Sequence, residues 1–535
     1  MSGDAVVDVI VVGSGPSAVN AAYPLVEAGL TVRMLDVANR DATYAPLIPE
    51  KPYLELRRTD RDQHRYLLGD DAEGIAFGHV GPGAQLTPPR QYVSRDAERL
   101  QPVRSDSFHP LMSLAEGGLG QAWGAGSPPF SAADLAGFPI SYDDLVPHYE
   151  AVADRIGVSG ARDDLLPFLG GLFAMQPPVE IDASGEALLK RYARYRGELQ
   201  QRGLYLGRPR LAMLSKAHRG REGTRYHDMD FWSDAGKSVY RPRWTLDELR
   251  ASPRFSFVGR RLVKSYAEKD SEVTVEALDV DRQTIEKHRA RAIVLAAGTF
   301  GTTRIVLKAQ GAFGRPVPVV CNPHTYLAML NANLLGQPVR DRRHSMAQLC
   351  VVHAPDGPAK SFTVGHFYSY RSLMLFRLVK DSPLAVPESL AVMRHLSPSF
   401  GVLILQHEDR PTTRKHATLD EGDRLDIAYD LDAGEQRRID DIERAIARGL
   451  RTLRCFRMKT MRPGHAASVH YAGTLPMSTS GAELTTDPDG RLARTRHVYV
   501  ADGSVFPSLP SKGLTFTMMA NADRIGCRLA KVLTT

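Results

Sequence analysis

The first residues of this chain able to do chemistry are Gly13-Ser14-Gly15-Pro16-Ser17-Ala18, a GxGxxA turn. The first glycine of such a turn permits a tight bend, and the second lets backbone N–H groups approach a pyrophosphate. Ala18, small like the usual third glycine, lets helix and strand pack closely. An acid, Asp36, stands about 20 positions further on, where a carboxylate would bind ribose hydroxyls. The chemistry implied is dinucleotide binding, with phosphate charge drawn to a helix N-terminus.

A glycine-rich turn alone is weak evidence, so the elements around it matter. Residues 6–12 are a nearly continuous apolar, β-branched run, which predicts a strand buried on both faces. Residues 17–27 predict a helix that Ala28-Gly29 stops, and residues 31–35 a second strand ending at Asp36. The turn leaves FAD and NAD open. Its place at the start of one long body leans to FAD.

Length and composition exclude several alternatives. A chain of 535 residues can build one large multi-layer body or two connected domains. Lys+Arg of 68 against Asp+Glu of 61 leaves +7, too small and too scattered an excess to mark a nucleic-acid binder. Four distant cysteines, Cys321, Cys350, Cys455 and Cys527, form no CxxC pair, so neither a metal site nor a disulfide framework is expected. No apolar run is long enough to span a bilayer, and the N-terminus carries no cleavable apolar segment. These features predict a reduced, cytoplasmic enzyme.

Towards the C-terminus, His497-Val498-Tyr499-Val500-Ala501-Asp502-Gly503-Ser504-Val505-Phe506-Pro507 precedes Leu514-Thr515-Phe516-Thr517-Met518-Met519-Ala520. This resembles the closing motif of the glucose–methanol–choline (GMC) oxidoreductases. Glu116-Gly117-Gly118-Leu119-Gly120-Gln121-Ala122-Trp123-Gly124-Ala125 resembles that family's glycine-rich flavin loop. The following Pro128-Pro129-Phe130 and Tyr142 to Glu150 are similar to the choline dehydrogenase-like and pyranose-oxidase-like branch. Arg291 to Thr299 resembles the strand where such chains return beside the cofactor, and Arg261-Leu262-Val263 the strand that passes the adenine.

The resemblance implies an α/β fold: a Rossmann-type FAD-binding domain of the GMC kind plus an α+β, sheet-containing substrate domain. The FAD domain is expected at 1–160, 255–311 and 460–535, and the substrate or cap region at 161–254 and 312–459. Gly13, Gly15, Ala18, Asp36, Gly118, Gln121, Val263, Ala297, Gly298, Asp502, Gly503, Thr515 and Phe516 are the expected cofactor contacts. Asp502 would hold the ribityl chain with the Gly503 backbone beside it. Backbone N–H groups near Thr515 and Phe516 would face the flavin pyrimidine, favouring negative charge on the reduced ring. Some relatives carry the flavin covalently on a histidine in the glycine-rich loop; Gln121 near that place implies non-covalent FAD.

Val469-His470-Tyr471-Ala472-Gly473-Thr474 resembles the family's active-site segment, which makes His470 the candidate base while flavin N5 takes the hydride. His465 is the nearby confounding histidine. Most relatives place a second His or Asn before the last helix, and the alignment puts Gly513 there. His470 then works alone or with a middle-region residue, or the site takes a larger substrate, or the flavin serves a different reaction or none. Ser511 and Lys512 are possible substitutes, although loop residues there are expected to be solvated. His407-Glu408 and the aromatic run 367–376 are further polar and stacking candidates.

The resulting expectation is an FAD-dependent oxidoreductase acting on a hydroxyl of a sugar, glycoside or other alcohol, with the electron acceptor open and no nucleic-acid partner. The alternatives are a flavin-binding scaffold or partner subunit and an NAD(P)-dependent dehydrogenase.

Overall fold

The computed structural model describes residues 6–49, 51, 53–72, 74, 88–170, 174–226, 236–337, 343, 346–369 and 383–535. The first strand, Val7–Val12, lies between two parallel neighbours, Val32–Leu35 and the end of Thr284–Leu295. Val9 and Val11 are buried on one face while Ile10 and Val12 are buried on the other, which is why the run does not alternate. Phe255–Val258 extends the parallel sheet beyond Val32–Leu35, and Val498–Val500 pairs in parallel with Thr284–Leu295. The first half of Thr284–Leu295 instead pairs antiparallel with Glu272–Asp279, which pairs with Arg261–Lys269.

The first helix runs Pro16–Glu27, one residue longer than expected. Proline at its first position costs no hydrogen bond, because that N–H would be unpaired anyway. Gly29, at φ +82°, lets the chain turn back into the second strand. The last helix, Thr515–Thr534, lies directly on the first. A Cβ added at Gly526 would stand 2.4 Å from the Ala21 carbonyl oxygen, so the two backbones meet with no side chain between them.

A second sheet of six strands runs Cys455–Met461, His324–Asn331, Phe400–Gln406, Thr363–Ser369, Leu349–His353, Leu204–Gly207, all antiparallel. Leu327, Met329, Phe367, Leu403 and Leu405 bury one face against the helices Ala183–Gln201 and Ala433–Thr452. The period-2 alternation puts His324, Tyr326, His366, Tyr368, Ile404 and Gln406 on the other. Glu435 closes a capping box with Asp432 and pairs with buried Lys415 at 2.6 Å. Of the aromatic run, Phe367 to Ser369 end a strand, and 370–376 lie outside the described residues.

Two small sheets tie the halves together. One joins Val103–Arg104, Leu425–Ala428, His416–Leu419 and Val317–Pro318. The other pairs Val320–Cys321 with Tyr471–Ala472, antiparallel, which sets residues 322 and 470 beside each other. All four cysteines are free, and among the described residues no helix is long and apolar enough to cross a membrane.

Candidate active site

Five segments converge where the parallel strands end. A Cβ on Gly13, at φ +96°, would lie 2.4 Å from the Ala296 carbonyl oxygen, so the turn presses against the strand end carrying Ala297 and Gly298. Gly118 touches Gly15, with 3.3 Å from its Cβ position to the Gly15 Cα, and the Gly117 N–H donates to Ser14 Oγ at 2.9 Å. Ser14 Oγ in turn donates to Asp36. Burial pushes the Asp36 carboxyl up to about 6 against the hydrogen bonds from Ser14 and Ala38. Arg260 and Arg261 donate backbone N–H groups to Val37 and Asp36 at 3.1 and 2.9 Å, which starts the strand carrying buried Val263 beside Asp36. Ala18 is fully buried between helix and sheet.

The closing motif joins this cluster from the other side. The carboxylate of buried Asp502 accepts from Thr302 Oγ1 at 2.5 Å and from the Ser504 N–H at 3.0 Å. Gly503 is wedged between the Tyr471 carbonyl and Thr299, its Cβ position 2.6 and 2.9 Å from their oxygens. Phe516 is fully buried against the Tyr149 ring, and Thr515 opens the last helix.

These residues leave the polar gaps a dinucleotide would fill. A Cβ at Gly15 or at Gly298 would meet nothing within 4 Å. The helices starting at Pro16, Thr299 and Thr515 have no side-chain hydrogen bond capping their first N–H groups. Ser17 Oγ and both amide atoms of Gln121 are buried without a partner. A group offering phosphate oxygens and hydroxyls suits that donor set.

His470 stands one turn of chain from this cradle. Gly473, Leu475 and Met477 donate N–H groups to the Gly503, Ser504 and Val505 carbonyls at 3.2, 2.9 and 2.7 Å, so its segment is laced to the closing motif. Val469, just before it, has φ +59°, a conformation costing a β-branched residue about 1–2 kcal/mol. The His470 ring stacks edge-on to His324 at 5.7 Å, and its Nδ1 lies 3.2 Å from Asn322 Oδ1. The position a Gly513 Cβ would take is 3.7 Å from His470 Cε1 and 3.9 Å from Nε2. Gly513 therefore does face the imidazole, with no side chain to offer.

Ser511 and Lys512, next to it in sequence, are not solvated. Both are buried, and the Lys512 ammonium is held by Asp134 at 2.5 Å and the Pro129 carbonyl at 3.1 Å. His465 packs on the Tyr429 ring instead. His407 is buried with Nε2 3.3 Å from Thr325 Oγ1, and Glu408 pairs with Ser361 and Arg438.

His324, His366 and Asn322 carry no sequence signal that marked them, whereas Tyr368, on the same sheet face as His366, belongs to the aromatic run 367–376. Burial, with His366 nearby, lowers the His470 pKa to about 4. Burial alone lowers His366 to about 4, and burial with three neighbouring histidines puts His324 well below its ordinary value. Two consequences follow for pH. The His470 imidazole stays unprotonated from neutrality down to about 5, so a reaction that used it as a base should be flat there and fall only as pH drops through about 4. Fold stability should instead decline as pH falls below about 6.5, because the unfolded chain then binds protons that the folded histidines refuse. A pH series of single-turnover rates, paired with thermal melts, checks both signs.

Residues 427–522 match the family described as GMC oxidoreductase, in its C-terminal domain. Over nearly its whole length the chain is similar to a paromamine 6'-oxidase of Streptomyces fradiae, 24% identical over 97% of this chain and 91% of that protein. A 6'''-hydroxyparomomycin C oxidase of Streptomyces lividus is likewise 24% identical, over 99% and 92% of the two chains. Among solved structures, pyridoxine 4-oxidase from Mesorbium loti shares the fold, with a TM-score of 0.57, 14% identity and coverage of 98% and 99%.

Proposed function

We propose that this chain, a GMC oxidoreductase by its C-terminal region, binds FAD non-covalently and oxidises a hydroxyl of a sugar or glycoside to a carbonyl. Gly13, Gly15, Ala18 and Asp36 would hold the pyrophosphate and ribose, with Val263 beside the adenine. Gly118, Gln121, Ala297, Gly298, Asp502, Gly503, Thr515 and Phe516 would line the flavin end. Gln121 has no nucleophilic atom for a covalent link. Bound there, FAD would supply the acceptor for the hydride that leaves the carbinol carbon.

The observation that carries this reading is the place of His470, a neutral imidazole on a segment hydrogen-bonded to the closing motif. It takes the hydroxyl proton as the carbonyl forms. The missing side chain at Gly513 leaves room beside the ring for more than a small alcohol. The Gly126 carbonyl oxygen, 3.8 Å from that Cβ position, can accept from a second hydroxyl. Above, His324 has two buried ring nitrogens without partners and Gln406 a free Oε1, groups suited to a polyhydroxylated substrate. Both full-length relatives are named oxidases, so dioxygen is the first electron acceptor to test.

The purified protein should be yellow and should release its flavin on denaturation. Under anaerobic conditions paromamine or another glycoside or sugar with a free hydroxyl should bleach it. A yellow protein bleached by none of a broad panel of sugars, glycosides and pyridoxine would overturn the substrate assignment, and a colourless one that takes up no FAD would overturn the cofactor.

A further inference from the structure

Asn322 is fully buried where the two-stranded ladder Val320–Cys321 and Tyr471–Ala472 runs out, opposite His470. Its amide nitrogen donates twice, to the His407 and Pro510 carbonyl oxygens, both at 2.8 Å. Backbone carbonyls can only accept, so both amide hydrogens are committed. A flipped amide would set its oxygen against two other oxygens and lose both bonds. The amide orientation is therefore dictated by the backbone, and Oδ1 is the atom that meets His470 Nδ1 at 3.2 Å.

That oxygen can only accept. The His470 nitrogen facing it must carry the hydrogen, and in a neutral imidazole the other nitrogen, Nε2, then holds the lone pair. Nε2 is on the edge of the ring beside Gly513 and makes no hydrogen bond among the described residues. We propose that Asn322 is the positioning residue that selects the Nδ1–H tautomer of His470 and so presents Nε2 as the base. The proposal gives the base of the preceding section its working form, and so rests on that reading.

Asn322 is itself anchored. The His407 N–H donates to the Pro323 carbonyl at 3.0 Å, and the Cys321 N–H to Asp409 Oδ2 at 2.8 Å. Asp409 is fixed by the Lys415 ammonium at 2.6 Å and the Tyr429 hydroxyl at 2.7 Å. An amide, unlike a carboxylate, fixes the tautomer without adding a negative charge that would raise the base's pKa. The other titratable groups around the ring are His324 and His366 from the six-stranded sheet and the Cys321 thiol from the ladder, and burial holds each in its neutral form at pH 7.

The test uses FAD-loaded enzyme labelled with 15N-histidine, the His470 signals being assigned by their loss in His470→Gln. At pH 7 the wild type should show a protonated Nδ1 and an unprotonated Nε2. Asn322→Ala should abolish that preference and slow flavin reduction about tenfold or more, with half-saturation little changed. A wild-type spectrum with the hydrogen on Nε2 overturns the proposal without any variant. So does an Asn322→Ala protein whose tautomer is unchanged. The nitrogen shifts do not depend on turnover, so failure of the alcohol assignment would be seen separately.

Discussion

His470→Ala is expected to slow anaerobic flavin reduction by about 10²- to 10⁴-fold, the usual worth of a positioned general base, while the protein stays yellow. The separation is expected because the contacts of the imidazole are with Asn322, His324 and the bare edge of Gly513. The backbone of its segment, which does support the closing motif, keeps its hydrogen bonds through Gly473, Leu475 and Met477 in the variant. Stopped-flow absorbance with a bleaching substrate gives the rate, and the flavin-to-protein ratio gives the occupancy. An unchanged rate would remove His470 from the chemistry. Loss of flavin would show that it serves the fold.

Gly13→Ala should yield protein without flavin. The new methyl would stand 2.4 Å from the Ala296 carbonyl oxygen and 3.2 Å from the Ala297 Cα, both backbone at the end of a strand buried on either side. Neither can retreat without carrying Gly298 with it, and φ +96° adds its own strain to any side chain. Gly15→Ala is the informative companion. Gly15 has ordinary extended dihedrals and nothing within 4 Å of its Cβ position, so apo-protein stability should be unaffected. Its methyl would project into the space reserved for the pyrophosphate, and FAD affinity should fall. Thermal melts without flavin, alongside FAD titrations of both variants, distinguish the collapsed turn from the blocked one. Equal FAD affinity in Gly15→Ala and wild type would contradict the placement of the pyrophosphate.

The elements legible in the sequence are those whose constraint is local. Gly13, Gly15, Ala18 and Asp36 sit in one strand–turn–helix–strand unit, where each residue type answers a requirement of its immediate neighbours. The polar face of the six-stranded antiparallel sheet was not legible. His324, His366 and Gln406 become neighbours only through antiparallel pairings between strands separated by tens of residues, at registers no short motif announces. Asn322 escaped notice for the same reason, since its partners His407, His470 and Pro510 come from three separate segments. Lys512 shows the opposite error. Its position in a polar loop suggested solvent, whereas Asp134, distant in sequence, supplies the counter-charge that lets a lysine lie fully buried. Gly513 does lie beside the His470 ring, a position legible because it is tied by a few residues to the last helix.

In the proposed reaction a carbinol hydrogen leaves a sugar-like substrate within reach of His470 and reduces a bound flavin. Anaerobic bleaching by a substrate deuterated at the reacting carbon probes that step. A yellow enzyme is expected, with bleaching several-fold slower for the deuterated alcohol and the corresponding carbonyl compound as product. Bleaching at the same rate with both isotopologues, when that step has been shown to limit the absorbance change, or bleaching without carbonyl product, would contradict it.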